Sequence, residues 1–252
     1  MQRADLLLVE QGLAGSRAQA HKQIAAGKVR YFDGGDWHLV NKPSLKLPAG
    51  TRFQIHTDEA DRYVSRGALK LLGALRETGL DVSGMTVLDV GQSTGGFTDC
   101  LLQAGAAKVV GVDVGHDQLA QRLREDNRVV SLEGINARDL PAEMLLPHTG
   151  GQGFDLAVMD VSFISQTLIL PGLARLIKPG GYLISLVKPQ FEVGREGVGK
   201  GGIVRDERLY QLVAEKITST CEAENLTVKT YIESPIKGGD GNREFLLFAV
   251  RS

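Results

Sequence analysis

The chain has 252 residues and a formal net charge of −1, enough for one substantial core and a small second module. Hydrophobic content of 42% and charged content of 23% are ordinary for a soluble globular protein, and apolar stretches such as LAVMDVSFI and GYLISLV are far short of a bilayer span. MQRADLLLVEQGL is neither a signal peptide nor an anchor, and Cys100 and Cys221 supply no disulfide framework or metal spacing, so a cytoplasmic, reduced protein without a metal is expected.

Charge is uneven along the chain. Residues 1–57 hold eight Lys/Arg against four Asp/Glu, a balance of +4, while the remainder is mildly acidic. A basic head suggests an anionic partner. Within it, Ala4 to Gln11 has helical apolar spacing and stops at Gly12. Ser16 can cap a second helix that runs to Gly27 and buries Ala18, Ile24 and Ala25. KVRYF begins a strand, DGGD supplies a hairpin turn, and WHLV and RFQIH read as further short strands. Arg17, Lys22, Lys28 and Arg30 recur around the second helix and the strand after it. They are either a solvated face or contacts to RNA phosphates, which position without reading sequence. The pattern L..GLA.SR..A...I..GKV resembles the small RNA-binding fold first known from ribosomal protein S-four, and that resemblance favours RNA. TDEADRYVSRG then changes composition and reads as a linker at about 57–64, giving a head of residues 1–58 and a body of 59–252.

In the body, apolar strands alternate with helical patterns, the signature of an α/β sheet. The strands are MTVLDV, KVVGVDV, RVVSLEG, FDLAVMDV, GYLISLVK and EFLLFAV, most of them apolar throughout as buried parallel strands are. Ligands bind beyond the carboxyl ends of such strands. The first strand delivers Asp89 and then the turn Gly91, Gln92, Ser93, Thr94, Gly95, Gly96, leading through Phe97 into a helix whose free N–H groups suit an anion. The second ends in Asp113, at the spacing from Gly91 of an acid that grips a ribose hydroxyl pair. The turn lacks the G-x-G-x-x-G of a dinucleotide site, while a ligand with a carboxylate and a ribose, such as S-adenosylmethionine, fits it.

Four further residues converge on the same edge. Asp160 closes LAVMD, Lys188 closes LISLVK, and Glu244 opens EFLLFAV, which reaches that edge if it runs antiparallel. Lys70 lies in SRGALKLLGAL, off the Ala68–Leu72–Leu75 stripe. Each has a plain alternative: a solvated lysine for Lys70, an edge charge for Glu244, a helix cap for Asp160. PQFEVGREGVGKGGIVRDE, after Lys188, is either a flexible loop or a lid.

VLDVGQSTGGFTDCLL, DVSFIS, LVKPQFEVG and NREFLLF together closely resemble the TlyA/hemolysin A family of rRNA methyltransferases. The family joins the small RNA-binding head to an FtsJ-like catalytic domain. The resemblance implies a Rossmann-like S-adenosylmethionine-dependent methyltransferase sheet, mostly parallel with its last strand antiparallel. It also implies 2′-O-methylation of ribosomal RNA, at cytidine, with ribosomal RNA or a ribosomal subunit as partner. A Lys–Asp–Lys–Glu tetrad carries over to Lys70, Asp160, Lys188 and Glu244. The cofactor would lie against Gly91, Ser93, Thr94, Gly95, Gly96, Phe97 and Asp160, with Asp113 at the ribose and Asn136 at the adenine. Gln92 departs from the small residue more usual there.

A ribose 2′-hydroxyl must lose its proton as it attacks a sulfonium methyl. Lysine accepts that proton only through its neutral form, which burial and a neighbouring ammonium favour and carboxylates oppose. No metal is required, because the leaving group is a neutral thioether. Base-amine methylation would call for a D/N-P-P-Y motif where this chain has Asp160-Val161-Ser162-Phe163. A non-enzymatic assembly factor with a decayed body would be expected to have lost tetrad members. A haemolytic role finds no apolar segment able to span a membrane.

Overall fold

A computed structural model describes residues 1–252, and the chain divides into two compact units, Met1–Glu59 and Ala60–Ser252. In the first, β1 (Gln2–Arg3) leads into α1 (Ala4–Glu10) and α2 (Arg17–Ala25), followed by β2 (Val29–Phe32), β3 (Trp37–Leu39), β4 (Lys46–Leu47) and β5 (Arg52–Ile55). Ser16 Oγ accepts from the Gln19 N–H at 3.2 Å and caps α2. That helix buries Ala20 and Ile24, one turn apart, whereas Ala18 and Ala25 are exposed. The expectation for those two alanines fails because they project from the opposite side of a 3.6-residue helix. β3, β2 and β5 form an antiparallel sheet, its hairpin closed by the Asp33 carboxylate, which accepts from the N–H groups of Gly35 and Asp36. One sheet face, with Val29, Tyr31, Phe53 and Ile55, packs on Leu7, Leu8, Ala20 and Ile24.

The second unit comprises α3 (Ala68–Thr78), β6 (Thr86–Val90), α4 (Gly96–Gln103), β7 (Lys108–Asp113), α5 (Gln121–Arg124), β8 (Val129–Glu133) and α6 (Ala142–Leu145). It continues with β9 (Phe154–Met159), α7 (Leu170–Leu176), β10 (Ile177–Val187), α8 (Glu207–Ala223), β11 (Leu226–Glu233) and β12 (Phe245–Arg251). The strands form one seven-stranded sheet in the order β11-β12-β10-β9-β6-β7-β8. β12 is antiparallel to both neighbours, and the remaining pairs are parallel. This is the sheet expected from the sequence, with β11 added at its edge. The linker is shorter than expected: Tyr63 and Val64 pack on the second unit's core, and the Val64 N–H donates to Asp99 Oδ2 at 2.8 Å.

The sheet separates two apolar layers. Val87, Val158, Ile184, Leu186 and Leu246 meet α3 and α4 on one side. Leu88, Met159, Val187 and Leu247 meet α7 and α8 on the other. The chain order reverses between β6 and β9, so the crevice beyond their carboxyl ends is the place where such a fold holds ligands. No helix is long and apolar enough to cross a membrane.

Candidate active site

Side chains alternate across a strand, so the core assignments also tell which way the strand-end residues project. Asp160 continues the parity of Leu156 and Val158, Lys188 that of Ile184 and Leu186, and Glu244 that of Leu246. All three therefore belong to the face covered by α3 and α4. The antiparallel ladder of β10 and β12 ends at Val187 opposite Phe245, which makes Lys188 and Glu244 the next cross-strand neighbours. α3 brings Lys70 to the same face.

The four residues form two ion pairs. Lys188 Nζ lies 2.6 Å from Asp160 Oδ1, off the direction of a good hydrogen bond, and donates to Ser162 Oγ at 3.0 Å. Lys70 Nζ donates to Glu244 Oε2 at 2.6 Å. Lys70 is thus not solvated: its side chain is 11% exposed and that of Glu244 3%. The buried stripe of α3 is Ala68, Leu71, Ala74 and Leu75 rather than one through Leu72, and Lys70 flanks it. Asp160 and Lys188 line a cleft, while the Lys70–Glu244 pair sits outside its lining.

The cleft has two lobes that share Gly91, Ser93, Asp160 and Ser162. The smaller, about 190 Å³, adds Ser65, Thr94, Gly96, Phe97 and Lys188. The larger, about 520 Å³, adds Asp113, Gln118, Ile135, Asn136 and Phe163. Gly91 has φ +86°, and a Cβ there would collide with the Asp160 carbonyl oxygen. No side chain caps α4, so the N–H groups of Gly96 and Phe97 are left to the lobe that these residues line. The Asp113 carboxylate accepts from Ser93 N and Gly115 N, each at 2.7 Å, which fixes the turn against the end of β7. A glycine cradle, free N–H groups, a carboxylate at the far lobe and apolar Val112, Ile135 and Val161 between fit S-adenosylmethionine.

One expectation for the cradle changes. Gly95 does not line the cleft; a Cβ there would strike Leu119 and Leu123, so this glycine serves packing. Asn136 does line it, but its Oδ1 accepts from Arg138 N at 3.0 Å, leaving the amide N–H groups for a ligand. Gln92 departs inward. It is 3% exposed, its Nε2 donates to Thr98 Oγ1 at 2.9 Å, its Oε1 accepts from Ser131 Oγ at 2.7 Å, and it occupies the space over Gly111.

Residues 63–251 match the FtsJ-like methyltransferase family. The chain belongs to that family. It is 44% identical over 249 residues to the 16S/23S rRNA (cytidine-2′-O)-methyltransferase TlyA of Mycobacterium tuberculosis, covering 98% of this chain and 88% of the relative. It is 40% identical to Hemolysin A of Brachyspira hyodysenteriae, with 97% and 98% covered. A solved structure of a candidate hemolysin from Streptococcus thermophilus superposes with a TM-score of 0.75 at 42% identity, covering 100% of this chain and 88% of that one. The resemblance in the motifs is borne out along nearly the whole chain.

One feature of this FtsJ-like site escapes motif reading. Phe163 is 90% exposed at the mouth of the larger lobe, at φ +64°, with its ring 5.0 Å from that of Phe191. A bulky residue in left-handed backbone is strained, and such strain gathers at functional sites. Asp89, beneath the turn, receives Thr98 Oγ1 at 2.6 Å, while its other oxygen is buried without a partner. Burial pushes its carboxyl up to about 7, the charges of Asp160 and Asp113 add to the rise, and Thr98 opposes it. The segment after Lys188 is pinned at its base rather than free. Glu192 accepts from Gln166 N, Ser165 Oγ and Lys216 Nζ, and Asn242 holds Gly202 O and Val204 N. No group of His, Cys, Asp and Glu suited to a metal is present.

The basic residues expected to meet RNA have different surroundings. Lys22 and Arg30 are exposed. Lys28 pairs with Asp58 at 2.9 Å. Arg17 is drawn to Asp5, whose fully enclosed carboxylate also takes Arg3 and His21. The Arg3 hydrogen bond, ahead of those from His21 and Arg17, holds that carboxyl well below its usual range against the pull of burial. Arg17 and His21 lie four residues apart on α2, the spacing at which two side chains converge on one acid.

Proposed function

We propose that this protein is an S-adenosylmethionine-dependent methyltransferase acting on a ribose 2′-hydroxyl of ribosomal RNA. Cytidine as the target nucleoside follows from the Mycobacterium tuberculosis relative named above. The observation that carries the reading is the shared cleft: the Lys188–Asp160 pair borders the same space as the Gly91 turn. In this reading Gly91, Ser93, Thr94, Gly96 and Phe97 hold the methionine end, Asp113 the ribose hydroxyls, and Asn136 the adenine edge.

When bound, S-adenosylmethionine supplies an electrophilic methyl group on a sulfonium. Lys188 is the group placed to take up the 2′-hydroxyl proton as the ribose oxygen is methylated, a role open to it only once the ammonium that pairs with Asp160 has released a proton to solvent. Asp160 and Ser162 hold the lysine nitrogen in place, so that it meets the hydroxyl on one side only. Glu244 and Lys70 neutralise one another and brace the strand end from which Lys188 projects. Much of the acceleration comes from holding oxygen and methyl in line, with proton transfer adding on the order of 10²–10⁴.

The test is methyl transfer from labelled S-adenosylmethionine to ribosomal RNA from a strain lacking this protein, followed by nuclease digestion. Label on a ribose oxygen supports the reading. Label on a base amine would replace it with a different methyl transfer, and no label on RNA or on either subunit would sink it.

A further inference from the structure

The inner face of the β3-β2-β5 sheet is filled by the first unit's core, but the outer face carries no covering element of that unit. Its two rows follow from the register. Arg30 lies between Leu39 and Gln54, and Phe32 lies between Trp37 and Arg52. The Trp37 and Phe32 rings are 5.4 Å apart, and the Arg52 guanidinium lies 4.8 Å over Phe32 and 5.8 Å from the Trp37 ring. Trp37 is 37% and Leu39 50% exposed. Arg30 and Arg52 form no ion pair, and neither row contains a carboxylate. Beside Arg30 a depression of about 290 Å³ is lined by Gly27, Lys28, Gln54 and His56.

A tryptophan is costly to leave in water, and a cation without an acid nearby has no internal reason to stack on rings. Together they make a surface with exposed π-faces and unneutralised positive charge. Unpaired nucleotides match it, because every base offers a π-face and each carries a phosphate. A duplex hides its bases and could use only the charge.

We infer that the outer face of this sheet binds single-stranded RNA, with an unpaired base stacked on the Trp37–Phe32–Arg52 platform and an adjoining phosphate near Arg30. This rests on the RNA-directed reading above and adds a stacking subsite to it. The site selects unpaired loops or bulges over helical segments, and it does so without reading base identity.

Trp37 is the sole tryptophan of the chain, so its emission reports on this face alone. The full-length protein is titrated, without S-adenosylmethionine, with a fluorescein-labelled 12-nucleotide oligocytidine RNA and with a 12-base-pair RNA duplex. Anisotropy follows binding, and Trp37 emission follows stacking. Saturable quenching by the oligocytidine, at the midpoint given by anisotropy and well beyond that caused by the duplex, is expected. Trp37→Ala should weaken oligocytidine binding about tenfold without changing the salt slope, while Trp37→Phe retains most of the affinity. Arg30→Ala should weaken binding and also lower the salt slope by about one. Circular dichroism checks that each variant folds.

No binding of oligocytidine, no quenching at saturation, equal quenching by duplex, or unchanged affinity in Trp37→Ala would each overturn the inference. So would a Trp37→Ala protein that loses affinity for an assembled subunit but not for RNA, which would make the face a protein contact. None of these readouts involves methyl transfer. A failed transfer assay with intact quenching would therefore remove the proposed reaction and keep the stacking site, and the reverse result would do the opposite.

Discussion

Lys188 Nζ stands 2.6 Å from Asp160 Oδ1, and each residue sits one step past the carboxyl end of its strand, β10 and β9. Neither belongs to a mobile loop: the ladder that ends at Val187 and the Asp160 N–H bonded to Val90 O at 3.0 Å fix both backbones. Lys188→Ala should therefore lower methyl transfer by a factor of about 10²–10⁴ while S-adenosylmethionine affinity stays within a few-fold. Calorimetric titration with the cofactor, beside labelled-methyl counting on RNA, separates the two. A variant that turns over normally would remove Lys188 from the reaction.

The Lys70–Glu244 pair makes a different prediction, because it is buried and lies outside the cleft lining. Removing one partner leaves a lone charge in a place with little water, at a cost of about 3–5 kcal/mol. Lys70→Met alone and Glu244→Gln alone should each show that loss in urea denaturation. The double variant should recover most of it, since no unpaired charge remains. Equal losses in the double and single variants would show that the pair contributes little as a pair.

Much of this site was legible in the sequence because parallel strands buried on both faces read as unbroken apolar runs. Their ends then mark the ligand edge by themselves, which is how Asp160 and Lys188 stand out. β11 was not legible: LTVKTYIE alternates polar and apolar residues, as an edge strand covered on one side does. α8 was passed over with it. Lys70 pointed the other way, since a lysine on an amphipathic helix is ordinarily solvated and only β12, far along the chain, supplies the Glu244 that buries it. Gln92 and Gly95 face packing partners on β7, β8 and α5, which no local pattern reveals. Phe163 carried no signal at all, because left-handed backbone is invisible in a phenylalanine.

Asp89 gives a pH signature. Its folded carboxyl is raised to about 7, and an unfolded one titrates near 4. The unfolded chain therefore releases this proton first, and stability falls as pH rises from about 4 to 7 before levelling off. Asp5, held low chiefly by Arg3, acts the opposite way and only below about pH 4. Thermal melts between pH 5 and 8 lie above the Asp5 window, but His148, held low by burial and by Lys108, acts there with the opposite sign, so the difference between native protein and Asp89→Asn is what assigns the slope to Asp89. The midpoint should decline across that window in the native protein, and Asp89→Asn, neutral at every pH, should flatten the decline. A slope unchanged by the substitution would assign it to other groups.

Phe163 tests whether strain at the cleft serves the fold or the site. At φ +64° its backbone costs on the order of 1 kcal/mol or more, and with 90% of its surface exposed its ring returns little of that through burial. Glycine accepts this conformation freely but gains freedom in the unfolded chain worth about 0.5–1 kcal/mol. The two effects nearly cancel, so Phe163→Gly should leave the melting midpoint unchanged or slightly higher. Methyl transfer should move the other way, with kcat/KM for RNA falling at least tenfold as the exposed ring beside Asp160 and Ser162 is lost. Paired melting and steady-state assays on one preparation decide the matter. Lower stability with unchanged transfer would place the ring, through its contact with Phe191, in the fold rather than in the site.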